Sequence, residues 1–246
     1  MIEINNNSPS PTFYEEVHPL PWMMSAWEKH TFISLLTALK PEAAIEIGNA
    51  GGGSLQVLNK LVPSVFAIDI YPEVQEPLKT KFPDVCFISG KSWEVLPELL
   101  KKISHEKIKL GFILIDGDHT PEGVKNDINA ILRNYTPICR LVILFHDSFN
   151  PDCRKGILQA GWMDCPFVHY VDIDYIPGTY VNDIYKGKIQ QKTMWGGFCM
   201  AVLETTERKE TLIIHQSSQT LFKQAYKGSF YNTLRYRMHK LLNKLK

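Results

Sequence analysis

Two short polar clusters hold the residue types from which proton-transfer or metal chemistry is built: Asp116-Gly117-Asp118-His119 and His146-Asp147-Ser148. Each directly follows an apolar run, Phe112-Ile113-Leu114-Ile115 and Val142-Ile143-Leu144-Phe145, that reads as a buried strand. If these strands are neighbours in a parallel sheet, Asp116 lies beside His146 and Asp147, within reach of one ion or one substrate hydroxyl. Carboxylates are hard oxygen ligands, and imidazole can either ligate a metal or take a proton near neutral pH. The cluster therefore suits polarisation or deprotonation of a hydroxyl group.

A third stretch, Ala44-Ile45-Glu46-Ile47-Gly48-Asn49-Ala50-Gly51-Gly52-Gly53-Ser54, joins an apolar run to a glycine-rich turn and a helix start. In open α/β folds this junction binds ligands, because glycines admit close backbone approach and free N–H groups at the helix start favour negative groups. The spacing fails the G-x-G-x-x-G dinucleotide pattern, since the second glycine falls one residue late, and no Gly-Lys-Ser/Thr follows as a P-loop requires. Asp69 ends the next apolar run and is placed to accept from both hydroxyls of a ribose, or to cap the helix that starts at Pro72-Glu73. After a third run comes Ser89-Gly90-Lys91-Ser92-Trp93, in which Gly90 permits close approach and Trp93 offers a stacking face. Ser92 can donate and accept there, or serve as a helix N-cap.

Glu46-x-Gly48-x-x-x-Gly52-x-Ser54 resembles the first motif of class I S-adenosylmethionine-dependent methyltransferases, and Gly90-x-Ser92 resembles the segment lying against adenine in the small-molecule O-methyltransferases of that class. Asp-Gly-Asp-His at 116–119, followed by Glu122-Gly123-Val124, Asp127 and then His146-Asp147, resembles the bacterial sugar and antibiotic O-methyltransferases. The resemblance runs from Glu46 to Asp147 and, more weakly, includes Trp195-Gly196-Gly197. It implies S-adenosylmethionine as cofactor, bound by Glu46, Gly48, Gly52, Ser54, Asp69, Gly90, Ser92, Trp93 and Asp116. It also implies a divalent ion, Mg²⁺ or Mn²⁺, at the positions of Asp116, His146 and Asp147. Imidazole here replaces one oxygen ligand; Mg²⁺ prefers oxygen while imidazole suits transition metals, so both the ion and its presence stay open.

His119 stands where those relatives carry a lysine base, and an imidazole with an unperturbed pKa of about 6.5 can take a hydroxyl proton as the methyl group moves. Without metal, His119 or His146 is left to polarise the acceptor. The activity implied is O-methylation of a small hydroxylated acceptor, a sugar or natural-product intermediate. Two rivals remain: a metal-dependent hydroxylase or hydrolase on the same fold, and a non-catalytic adenosylmethionine-binding module with a basic partner-binding tail.

The elements that must position these residues follow from hydrophobic periodicity. Strands are expected at Ala43–Ile47, Val65–Ile70, Val85–Ile88, Leu110–Ile115 and Leu141–Phe145, with a last one in Gly197–Leu203. Helices are expected at Trp22–Leu39, Ser54–Leu61, Glu73–Lys81, Trp93–Ile103 and Pro121–Arg133. Such alternation predicts a Rossmann-like, doubly wound, mostly parallel seven-stranded sheet with helices on both faces. Residues 1–25 read as a lid or loop in which His18 and Trp22 can line a cover, 26–206 as the α/β domain, and 207–246 as a basic amphipathic extension. The proline- and glycine-containing stretch from Asn150 to Trp195 reads as irregular and as a source of substrate contacts.

The 246 residues carry a net charge of +1, which gives no general case for nucleic-acid binding. Charge is uneven: from Thr211 to Lys246 there are seven Lys or Arg and no Asp or Glu. The 230–246 stretch, with Phe230, Leu234, Met238, Leu241, Leu242 and Leu245 at helical spacing, suits docking on its own domain, peripheral membrane contact or a homo-oligomer. No apolar run is long enough to span a bilayer, no signal pattern opens the chain, and a cytoplasmic location is expected. The five cysteines form no C-x-x-C pair and are expected to be buried or partly buried free thiols.

Overall fold

The computed structural model describes residues 19–185 and 189–226, with side chains of 180–193 left aside. An eight-stranded sheet runs in the order β10-β6-β9-β5-β4-β1-β2-β3. Its strands are β1 (Ala43–Ile47), β2 (Ser64–Asp69), β3 (Cys86–Ser89), β4 (Leu110–Ile115), β5 (Leu141–His146), β6 (Val168–Ile176), β9 (Phe198–Leu203) and β10 (Ile214–His215). All pairings are parallel except those of β9, which runs antiparallel between β5 and β6. The expected seven-stranded sheet thus gains an eighth, β10, too short at two residues to leave a periodic signal and drawn from within 207–246. A separate antiparallel hairpin pairs β7 (Thr179–Tyr185) with β8 (Ile189–Trp195).

Alternation along each strand sends side chains to two cores. Ile45, Ile68, Ile113 and Ile143 face α4 (Ser92–His105), α5 (Pro121–Asn134) and α6 (Pro151–Gln159), where they meet Leu96, Ile128 and Ile157. Ala44, Ala67, Leu114 and Leu144 face α1 (Ala26–Leu39), α2 (Leu55–Leu61) and α3 (Pro72–Lys81), where they meet Phe32, Leu36, Leu55 and Leu78. By the same period, Glu46, Asp116 and His146 continue the second face, toward α1. Sheet order reverses between β1 and β4, so the carboxyl ends of these two strands flank the switch point at which open α/β sheets bind ligands.

Several elements depart from expectation. The stretch after Asn150 is ordered as α6, β6 and the β7–β8 hairpin: Pro151 opens a helix in its first turn, and the Asn150 side chain accepts from Asp152 N–H as its cap. Helix α1 begins at Ala26, not Trp22, because Ser25 and Glu28 form a reciprocal capping box. Trp27, in its first turn, is exposed. All five cysteines are free, and Cys86 is exposed instead of buried. His18 and the 230–246 helix lie outside the described residues. A last helix, α7 (Gln219–Tyr226), packs Phe222, Ala225 and Tyr226 against Phe149 and Met194.

Candidate active site

The glycine loop after β1 is held from beneath. Glu46, fully buried, accepts from Ser54 Oγ at 2.6 Å on one carboxylate oxygen and from Asn49 Nδ2 at 2.8 Å on the other, gripping the loop at both ends. Burial pushes its carboxyl up to about 8. Gly48 takes φ +86°, and a Cβ there would stand 2.0 Å from the Asp116 carbonyl oxygen, so only glycine lets the ends of β1 and β4 approach. Gly53 serves a different purpose from the expected one: a Cβ there would meet the Pro21 carbonyl at 2.4 Å and Trp22 at 2.6 Å. It makes room for the chain's own segment, tied further by Leu20 N–H to Gln56 Oε1 at 3.1 Å.

Asp69 closes the loop from the other side, accepting from Asn49 N–H at 2.9 Å and Tyr71 N–H at 2.9 Å. Buried Gln75 links the same elements: its Nε2 lies 3.0 Å from Asn49 Oδ1, and its Oε1 accepts from Ser89 Oγ at 2.8 Å. Ser92 is not an N-cap; Lys91 holds that position, and the Ser92 hydroxyl donates to Asp127. Asp127 is fully buried, its second oxygen has no hydrogen-bond partner, and burial pushes its carboxyl up to about 7.

A cavity of about 530 Å³ opens above these elements, lined by the ends of β1, β2 and β4 and the loops that follow them, and by Gly90 to Trp93 after β3. Of the sequence-derived residues it gathers Gly48, Asp69, Gly90, Ser92, Trp93, Asp116 and His119. Glu46, Gly52 and Ser54 lie behind the loop and shape it instead of lining the space. His146 and Asp147 also stay off the wall, 3% and 4% exposed, behind Asp116.

That buried layer is a charge network. His146 Nδ1 is 3.1 Å from Asp116 Oδ1 and its Nε2 is 3.0 Å from Glu28 Oε1. His119 Nε2 lies 3.5 Å from both Asp116 Oδ1 and Asp147 Oδ2. Burial opposes charge on His146, yet the surrounding Asp116, Glu28 and Asp147 carboxylates hold its pKa well above the ordinary range, so the metal-free ring donates to both neighbours. Burial likewise opposes charge on Asp116, but His146 and His119 pull its carboxyl below the usual value. Hydrogen bonding to Asp116 raises His119. Asp147 adopts φ +60°, a left-handed conformation uncommon outside glycine, and Gly196 N–H donates to its Oδ1 at 2.9 Å.

Ligand atoms of Asp116, His146 and Asp147 all lie within 4.8 Å of one another. The 3.1 Å and 3.7 Å from His146 Nδ1 to the two carboxylates are close to the ~3 Å between adjacent donors around a cation with ~2.1 Å bonds. The set fits a divalent ion once Nδ1 releases its proton, and one nitrogen among two carboxylates favours a transition cation over Mg²⁺. Sequence reasoning missed Glu28, Asn49 and Gln75, and named Asp127 only as part of the family resemblance. Glu28 did leave a signal, since it precedes Phe32 and Leu36 at four-residue spacing and so occupies the first place of a buried stripe.

Residues 45–148 match the sequence profile of a family described as a methyltransferase domain. No curated protein sequence matches the chain. The fold is similar to that of an O-methyltransferase from Bacillus cereus in complex with SAH, at 19% identity and a TM-score of 0.54, over 80% of this chain and 92% of that one. It is also similar to TomG, an O-methyltransferase of Streptomyces achromogenes involved in tomaymycin synthesis and solved with SAM, at 16% identity and a TM-score of 0.53, over 78% and 86% of the two chains. The solved structures show a Rossmann-like α/β fold, and residues 45–148 are similar to a methyltransferase domain.

Proposed function

We propose that this chain, which carries a methyltransferase domain, is an S-adenosylmethionine-dependent O-methyltransferase acting on a small hydroxylated acceptor. One observation carries the reading: a single cavity runs from Asp69 and Trp93 to Asp116 and His119, so the cofactor end and the proton-handling end share one space. Asp69 retains lone pairs for a ribose, Trp93 supports adenine, and the loop at Gly48 brings backbone close to the ligand. Bound there, adenosylmethionine supplies an electrophilic methyl group on its sulfonium.

His119, nearly half exposed, is the general base that takes the acceptor's hydroxyl proton on Nδ1, its Nε2–H being turned to Asp116 and Asp147. Asp116 and Asp147 orient that ring and stabilise the imidazolium formed. His146, clamped between Glu28 and Asp116, positions the carboxylates and does not exchange protons with the acceptor. A divalent ion at Asp116, His146 and Asp147 would add Lewis-acid polarisation of the same hydroxyl. The segment at Leu20–Trp22 packs on the glycine loop.

No helix of the described residues is long and apolar enough to cross a membrane. The five free cysteines support a reducing, cytoplasmic setting. The test is incubation with methyl-labelled adenosylmethionine and a panel of sugars and phenolic natural products. Label transfer to oxygen supports the reading; failure of the chain to bind S-adenosylhomocysteine overturns it.

A further inference from the structure

Glu28 lies on α1, outside the 45–148 stretch that matches the methyltransferase family, yet its carboxylate braces two candidate cation ligands from behind. Its Oε1 accepts from His146 Nε2 at 3.0 Å and from Gly197 N–H at 2.6 Å, and its Oε2 accepts from Ser25 N–H at 2.6 Å. The adjoining Gly196 N–H donates to Asp147 Oδ1 at 2.9 Å, and a Cβ at position 196 would stand 2.5 Å from Glu28 Oε1. One buried carboxylate therefore fixes the ring of His146 and, through the glycine pair, the place of Asp147. With Nε2–H directed at Glu28, the other ring nitrogen turns to Asp116 Oδ1 at 3.1 Å and Asp147 Oδ2 at 3.7 Å. Metal-bound imidazoles commonly give their second N–H to a carboxylate, which sets ring orientation and strengthens the ligand.

We propose that Glu28 is a positioning residue for a divalent-cation site formed by Asp116, His146 Nδ1 and Asp147. The inference rests on the methyltransferase reading for the cation's use, not for its ligands.

The test titrates Mn²⁺ into the full chain without cofactor, following free Mn²⁺ by electron paramagnetic resonance, with S-adenosylhomocysteine binding measured in parallel. Glu28→Gln is expected to weaken Mn²⁺ binding by ~10–100-fold with S-adenosylhomocysteine affinity retained. Ser25→Ala, which removes the Oγ half of the capping box and leaves the carboxylate on His146, keeps Mn²⁺ affinity. Equal Mn²⁺ affinity in Glu28→Gln, equal loss in both variants, or no Mn²⁺ binding by the unmodified chain overturns the proposal. If Glu28→Gln fails to fold, ¹⁵N spectra of the Zn²⁺-loaded unmodified chain decide: metal on His146 Nδ1 with a proton on Nε2 is expected, and the reverse overturns it. Loss of S-adenosylhomocysteine binding by the unmodified chain instead counts against the methyltransferase reading itself.

Discussion

Glu46 shows how a motif residue acts without touching the ligand. Its carboxyl, pushed up to about 8 by burial against an ordinary value of 4.5, keeps a proton in the folded state that the unfolded chain releases. Its contribution to stability is complete below about 4.5 and is lost as pH rises through about 8. Glu46→Gln should flatten the fall in stability between pH 7 and 8 by roughly 1 kcal/mol, read from denaturation midpoints; an unchanged slope would contradict the assignment. Asp127 acts over a window ending near pH 7, so it does not mask the effect. Asp69→Ala should weaken S-adenosylhomocysteine binding by about 1–3 kcal/mol in calorimetry. His119→Ala should lower turnover by ~10²–10⁴ with cofactor affinity kept. Because Asp116 raises His119, activity of the unmodified chain should climb with pH through a midpoint above 6.5, and that climb should vanish in the variant. The sequence pointed to Asp116, His146 and Asp147 because each ends an apolar run. It gave no role to Glu28 and Asp127, carboxylates on buried helical stripes whose partners, His146 and Ser92, come from distant parts of the chain.

At the scale of elements, strand alternation explains the site. Leu114 and Leu144 face α1, so Asp116 and His146, two residues on, face it too, and α1 answers with Glu28. The strands β1, β2, β4 and β5 were legible because both faces are buried, which leaves continuous apolar runs. The stretch containing α6, β6 and the β7–β8 hairpin was not. Its prolines suggest breaks, whereas Pro151 starts a helix, and β6 interleaves Asp172 and Asp174 with its apolar residues. Asp174 is buried against Arg154 at 2.7 Å, a pairing invisible to local pattern. Gly48→Ala sets a Cβ against the Asp116 backbone on a strand end that cannot yield, so a stability loss of about 1–3 kcal/mol with loss of S-adenosylhomocysteine binding is expected. Full occupancy of that variant in calorimetry would contradict the role given to the loop.

For the whole molecule, the site sits where sheet order reverses, between β1 and β4, and draws on both faces of the fold: Asp127 from one helical layer, Glu28 from the other. A ligand bound only by the folded state stabilises it in proportion to occupancy. At a hundredfold excess over Kd, S-adenosylhomocysteine should add about 2.7 kcal/mol and raise Tm by ~5–11 °C. The most direct test of the account is calorimetric titration of the unmodified chain with S-adenosylhomocysteine, repeated with Asp69→Ala. Saturable one-to-one binding that weakens in the variant is the predicted result; no binding by the unmodified chain, or equal binding by both, would contradict a cofactor site in this cavity.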